Sequence, residues 1–208
     1  MASTPPIRFG ALCWNQYTDW HSLHEAGRLA DRAGYDSIWT WDHLYPIVGS
    51  DRGPIFEGWL TLAAWAATTT RARIGLMVGA NTFREPTLTA KMVTTLDHIS
   101  SGRAVLGIGA AWFATEHRAY GLEYGEGPPE RLRWLGEALP VIRGMLRGEV
   151  VSAAGPCSGS APPGSRPSTA PTGSSTARGR PSVCAGSKPR ESSNGRATRS
   201  RHHVSSTP

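Results

Sequence analysis

Ile7-Arg8-Phe9-Gly10-Ala11-Leu12-Cys13-Trp14-Asn15-Gln16-Tyr17-Thr18-Asp19 decides between the two folds that the rest of the chain allows. The first eight of these residues, following Pro5-Pro6, are a short apolar run rich in strand formers and read as a first strand. The next five contain no glycine. A doubly wound sheet that cradles a dinucleotide needs a glycine-rich phosphate loop at this point. Without one, the other parallel architecture, a (β/α)8 barrel, is favoured.

Working outward, residues 20–33 carry apolar side chains at 20, 23, 26, 29, 30 and 33, which is helical spacing. Gly34 stands where a left-handed helix cap is needed. Residues 36–41 read as strand 2, 57–70 as a helix, 73–78 as strand 3 and 85–100 as a helix. Pro86 is tolerated in the first turn of that helix, and Gly102 closes it. Residues 104–108 read as strand 4. A helical stretch over 113–120, a Gly/Pro turn at 125–129 and a helix over 130–146 follow. The order βαβαβαβα, with short apolar strands starting roughly 30 to 37 residues apart, predicts an α/β chain with a parallel sheet. A complete barrel takes about 250 residues, and this chain has 208. The expectation is a partial TIM (β/α)8 barrel of about four βα units, occupying residues 1–151.

The composition changes abruptly near Val151. All eight Trp, five Tyr and four Phe precede it, whereas 41 of residues 152–208 are Ser, Pro, Gly, Ala or Thr. The net charge is −1 before the change and +7 after it, so the basic character belongs to the tail. So little apolar surface does not offset about 1–2 kcal/mol per residue of backbone entropy, and a disordered tail is expected. Two origins compete: a native basic tail able to touch nucleic acid or other anionic partners non-specifically, and out-of-frame translation of GC-rich coding sequence. The switch in the middle of a fold favours the second. Cys13, Cys157 and Cys184 have no metal-ligand spacing, no apolar run approaches 20 residues, and residues 1–8 lack the pattern of a secretory signal. A cytoplasmic protein without membrane partners is expected.

Active sites of barrels gather at the carboxyl ends of the strands. Those ends read Cys13-Trp14-Asn15, Trp41-Asp42-His43, residues 77–82 and residues 107–113. Asp42-His43 is the most suggestive pair, because a carboxylate beside a histidine can fix its tautomer for proton transfer; the plain alternative is a loop cap and a surface histidine. Residues 75–84 leave strand 3 with two glycines and Asn81, which suits close approach of a flat ring but also an ordinary turn. Gly107-Ile108-Gly109-Ala110-Ala111 is a weak match to a dinucleotide fingerprint. Trp112 and Phe113 offer a stacking wall or ordinary core. Glu116-His117 could face the site, although a solvated helix face is the commoner outcome. His21 and His24 lack a third zinc ligand, and no hydrolase or Walker element is present.

Several of these segments resemble one family. Gly34-Tyr35-Asp36-Ser37-Ile38-Trp39-Thr40-Trp41-Asp42-His43 looks like strand 2 of the luciferase-like oxidoreductases. Asn81-Thr82-Phe83-Arg84-Glu85-Pro86, Ala90-Lys91-Met92 and Thr95-Leu96-Asp97-His98-Ile99-Ser100-Ser101-Gly102-Arg103 look like their third strand and helix. Leu106-Gly107-Ile108-Gly109-Ala110-Ala111-Trp112-Phe113 with Glu116-His117 and Ala119-Tyr120-Gly121 completes the pattern, which runs to about Glu149. The likeness is greatest to the branch that uses the deazaflavin coenzyme F420; FMN is the alternative cofactor. It implies hydride transfer to or from a small organic substrate, and a homodimer in the full-length family. His43 would be the catalytic residue near the ring. Asp42, Met77, Val78, Gly79, Asn81, Gly109 and Trp112 would bind the cofactor, with a non-proline cis peptide at about Met77-Val78. Where the sugar-phosphate dehydrogenases of that branch carry a glutamate and a tryptophan, this chain has Trp112 and Ile47, which puts that substrate chemistry in doubt. Strands 5 to 8 of the family have no counterpart in the tail, so impaired catalysis is expected. The competing reading is a non-catalytic barrel fragment that self-associates or binds anionic partners.

Overall fold

The computed structural model describes residues 7–151. The expectations for residues 152–208, disorder and a shifted reading frame among them, lie outside the described residues. The elements in chain order are β1 (Gly10–Leu12), α1 (Trp20–Ala33), β2 (Ser37–Thr40), α2 (Gly58–Thr68), β3 (Arg73–Leu76), β4 (Gly79–Ala80), α3 (Pro86–Ser100), β5 (Ala104–Val105), β6 (Ile108–Gly109), α4 (Ala114–Tyr120) and α5 (Pro128–Leu146).

All strand pairs are parallel and run in sequence order, β1-β2-β3-β5, with β4 beside β6. That order settles the choice of architecture. Right-handed crossovers between strands laid down in order place every helix on one face, as in a barrel, whereas a doubly wound sheet must reverse its order. The chain therefore forms part of a (β/α)8 barrel.

The strands predicted at 73–78 and 104–108 are each two shorter pieces. Ile74 pairs with Ala104, but Gly79 pairs with Ile108, so the register slips by one residue between the pieces. The additional residue on the β3–β4 side falls at Met77 and Val78, whose peptide is cis. Glycine is required opposite this break, because a Cβ on Gly107 would lie 2.2 Å from the Leu76 carbonyl oxygen.

The core lies between the sheet and its helices. Leu23, Ile38, Leu62, Trp65, Ile74 and Leu96 are its main members. A second cluster, Ala90, Ala138, Val141 and Ile142, joins α3 to α5. Helix α1 has the bounds that its spacing predicts, with Asp19 capping its start by accepting from Ser22 N–H at 2.9 Å. Its buried stripe is Leu23, Gly27, Ala30 and Asp31; Leu29 is exposed. Trp65 packs so close to α1 that only glycine fits at 27, where a Cβ would lie 2.3 Å from the indole nitrogen. Helix α3 ends at Ser100; Ser101, at φ 58°, is its left-handed cap, and Gly102 follows with its N–H donated to the Asp97 carbonyl at 2.9 Å. Arg103 then crosses to the end of α2, where it donates to the carbonyls of Ala66 (3.0 Å) and Thr69 (2.9 Å), groups that the helix leaves unpaired.

Candidate active site

The ends of β2, β3, β4 and β6 meet around one cavity of about 350 Å³ at the carboxyl end of the sheet. Trp41, Asp42 and His43 come from the end of β2. Met77, Val78 and Gly79 come from the break between β3 and β4. Gly109, Ala111 and Trp112 leave β6, and Glu116 rises from α4. Trp14, from the end of β1, packs on Trp41 with ring centroids 4.8 Å apart. Asn15 ties those two strand ends together, its side-chain amide donating to the Trp41 carbonyl at 3.2 Å.

Seven of the eight residues expected at the site line this cavity: His43, Asp42, Met77, Val78, Gly79, Gly109 and Trp112. Asn81 does not. It is buried beside the rim, where its backbone N–H donates to the Gly109 carbonyl at 2.9 Å.

Asp42 and His43 are adjacent in sequence but serve different partners. The Asp42 carboxylate is buried and takes both ends of the Arg84 guanidinium, with Oδ2–Nη1 at 2.7 Å and Oδ1–Nη2 at 3.0 Å. It also accepts the Ala80 N–H at 2.9 Å. Arg84 Nη2 reaches on to Glu57 at 2.9 Å. Burial pushes the Asp42 carboxyl up to about 6, with Arg84 and the Ala80 N–H pulling in the opposite direction. Asp42 therefore fastens β2 to β4 beneath the cavity.

The carboxylate that holds His43 is Glu116. Its Oε1 lies 3.0 Å from His43 Nδ1, and its Oε2 accepts the Leu44 N–H at 2.8 Å. The expectation of a solvated face for Glu116-His117 is thereby corrected: both are buried, because α4 turns them back against the sheet. His117 Nδ1 donates to the Phe113 carbonyl at 2.9 Å, and its Nε2 lies 2.7 Å from the Thr82 hydroxyl. Burial holds the His117 imidazole below its usual range, which favours the uncharged ring, whose Nε2 can accept from the Thr82 hydroxyl. Nothing local in the sequence marks Glu57 or Arg84 for these roles, because their pairings span 27 and 42 residues.

Trp41, Trp112 and Phe113 surround His43, their ring centroids 6.3, 5.6 and 6.0 Å from it. The site thus combines an apolar and aromatic wall, a break in the sheet where backbone is open to the cavity, and a histidine with a fixed carboxylate partner. That combination suits a flat conjugated ring and a proton exchange beside it. Among the described residues, no group of three His, Cys, Asp or Glu side chains could hold a metal ion, and no helix is long and apolar enough to cross a membrane.

The chain is similar to known proteins in sequence and in fold. An F420-dependent glucose-6-phosphate dehydrogenase of Microbacterium testaceum is 36% identical over 150 residues, covering 72% of this chain and 44% of that protein. Among solved structures, an F420-dependent secondary alcohol dehydrogenase in complex with an F420-acetone adduct superposes with a TM-score of 0.63 at 24% identity, covering 71% of this chain and 44% of that one. The FMN complex of the oxygenating constituent of 3,6-diketocamphane monooxygenase from Pseudomonas putida gives 0.57 at 21% identity, covering 71% of this chain and 41% of that one. The chain spans less than half the length of the curated relatives it matches first. The sequence pattern of the luciferase-like monooxygenases matches residues 7–194, continuing past Glu149, where the motifs read from the sequence stop. The chain belongs to the luciferase-like monooxygenase family.

Proposed function

We propose that this chain supplies the coenzyme-facing part of an oxidoreductase that moves a hydride between coenzyme F420 and a small organic substrate. The observation that carries the reading is the cavity at the strand ends, with His43 and Glu116 on one side of it and the β3–β4 break on the other. Its volume suits a small-molecule site. Met77, Val78 and Gly79 would form one support for the ring, and Gly109 with Trp112 the other. The deazaflavin supplies the hydride chemistry when bound. His43 holds or accepts a proton beside it, and Asp42 keeps β4 in place under it. The F420-dependent relatives favour the deazaflavin; the FMN-bound neighbour keeps FMN as the alternative, which would bring oxygen chemistry.

The test is one titration of the purified chain with F420 and with FMN, followed by tryptophan and coenzyme fluorescence. Saturable F420 binding at micromolar concentration, weakened by Trp112→Ala, is the expected result. Binding of neither coenzyme overturns the reading.

A second reading is a barrel portion that only self-associates. It is favoured by Phe9, Leu12 and Trp14, all exposed along β1, and by Leu60 and Ile99, exposed beside an apolar groove between α2 and α3. A homodimer through that groove is compatible with the first reading too. Light scattering combined with the titration separates the two, since association without coenzyme binding favours the second.

A further inference from the structure

We infer that Glu116 is a positioning residue that locks the His43 ring in its Nδ1–H tautomer, leaving the Nε2 lone pair as the proton-accepting atom of the site. The inference deepens the proposed function, for it rests on His43 being the residue that handles the proton.

The argument counts donors and acceptors. The Leu44 backbone N–H can only donate, and it spends one side of the Glu116 carboxylate, Oε2 at 2.8 Å. The other oxygen, Oε1, is 3.0 Å from His43 Nδ1. An ionised carboxylate has no hydrogen to give, so Nδ1 must carry one. In the uncharged ring the second nitrogen is then bare. Glu116 is 1% exposed, so water does not compete for either oxygen. Trp112 and Phe113 pack against the ring edge to face, at 79° and 78°. Among the described residues no hydrogen-bonding group reaches Nε2, and His43 lines the cavity.

The same count gives an unusual expectation for Glu116→Gln. A glutamine side chain has one acceptor oxygen and one donor nitrogen. The Leu44 N–H is fixed by the backbone and claims the oxygen. The amide NH2 is then turned toward His43 Nδ1, which has to accept. The proton moves to Nε2, and the atom facing the cavity changes from acceptor to donor. A glutamate that only filled space would produce no such exchange.

The experiment is nitrogen-15 NMR of the histidine side chains in the full chain, without coenzyme, at a pH where the spectra show the ring uncharged. His43 is assigned by its loss in His43→Asn. The expected result is Nδ1 protonated and Nε2 bare in the wild type, with the two exchanged in Glu116→Gln. A wild-type ring protonated at Nε2 overturns the inference, as does a Glu116→Gln ring that keeps the wild-type pattern. If Glu116→Gln does not fold, the wild-type tautomer alone decides. Because no coenzyme is added, failure here is distinct from failure of the F420 titration.

Discussion

Arg84 meets Asp42 as a parallel fork, Nη1 to Oδ2 at 2.7 Å and Nη2 to Oδ1 at 3.0 Å, across 42 residues of sequence. The two together hold the loop after β4 against the end of β2. Removing the guanidinium in Arg84→Met would leave a buried carboxylate without its cation, a change that costs about 3–5 kcal/mol. The sign of the pH dependence follows from Asp42. Its carboxyl is raised from 3.8 to about 6 in the folded chain. The folded state therefore binds more protons than the unfolded one between those values, and this group contributes stability that is lost as pH rises through about 6. The loss is roughly 3 kcal/mol across the window. In Arg84→Met the carboxyl rises further, so the steep part moves to higher pH and the cost of the substitution shrinks below pH 6. Urea unfolding from pH 4.5 to 8 checks both statements; a cost independent of pH would contradict them.

Asp31 behaves in the opposite sense. Buried on α1, it accepts backbone N–H groups from Thr70 (3.0 Å), Arg71 (3.0 Å) and Ala72 (2.7 Å), and so fixes the turn into β3. Burial works to raise its carboxyl, but these three donors outweigh that and hold it below the ordinary carboxylate value. Its stabilisation is complete above the ordinary value and is lost as pH falls through the lowered one. Asp31→Ala strands three donors and is expected to cost on the order of 3 kcal/mol at neutral pH. In acid titrations followed by circular dichroism, Asp31→Asn should unfold with a shallower pH dependence below pH 4 than the wild type.

Two glycines inside helices should respond to the same substitution with opposite signs. At Gly27 a methyl group would sit 2.3 Å from the Trp65 indole nitrogen, which is itself held by the His24 carbonyl at 3.2 Å. Gly27→Ala should lower stability by about 1–3 kcal/mol through overpacking. At Gly136 in α5 nothing among the described residues lies within 4 Å of an added Cβ, so Gly136→Ala should raise stability by about 0.5–1 kcal/mol, the ordinary gain of alanine over glycine in a helix. Thermal unfolding of the two variants reads the contrast directly.

What was legible in the sequence followed from local physics. Strand and helix order came from periodicity and glycine punctuation, and α1 runs over the residues its spacing marks out. Three of the four predicted strand ends converge on one cavity, which collects seven of the eight expected residues, and the first packs beside them through Trp14. The pairings were not legible. His43 follows Asp42 in the chain, and adjacency suggested a pair, yet successive residues leaving a strand point in different directions. The carboxylate that reaches His43 is 73 residues away on α4. Likewise, an exposed face was expected for Glu116-His117 because a seven-residue helix shows too little periodicity to tell its two faces apart. The slip of register at the β3–β4 break depends on two strands at once, and no single stretch of sequence encodes it.

The glycines flanking that slip separate folding from binding. Gly107 has a backbone atom opposite it: a Cβ there would lie 2.2 Å from the carbonyl oxygen of Leu76, the last residue of β3 and paired with Thr40. Backbone in a ladder cannot step aside without breaking the pairing, so Gly107→Ala should destabilise the chain by about 3 kcal/mol or more and reduce soluble yield. Gly109 is different. Among the described residues the only atom near its added Cβ is the end of a side chain, Val78 Cγ2 at 2.9 Å, and Val78 is half exposed to the cavity. Valine can answer by changing rotamer, which costs about 1 kcal/mol at most. Its methyl groups would then move into the space between the two supports proposed for the coenzyme ring. Gly109→Ala should therefore unfold within a few degrees of the wild type while binding F420 about tenfold more weakly, equivalent to about 1.4 kcal/mol. Thermal unfolding and fluorescence titration on the same preparation measure both quantities. Unchanged F420 affinity in a folded Gly109→Ala chain would place the ring elsewhere than against Val78 and Gly109.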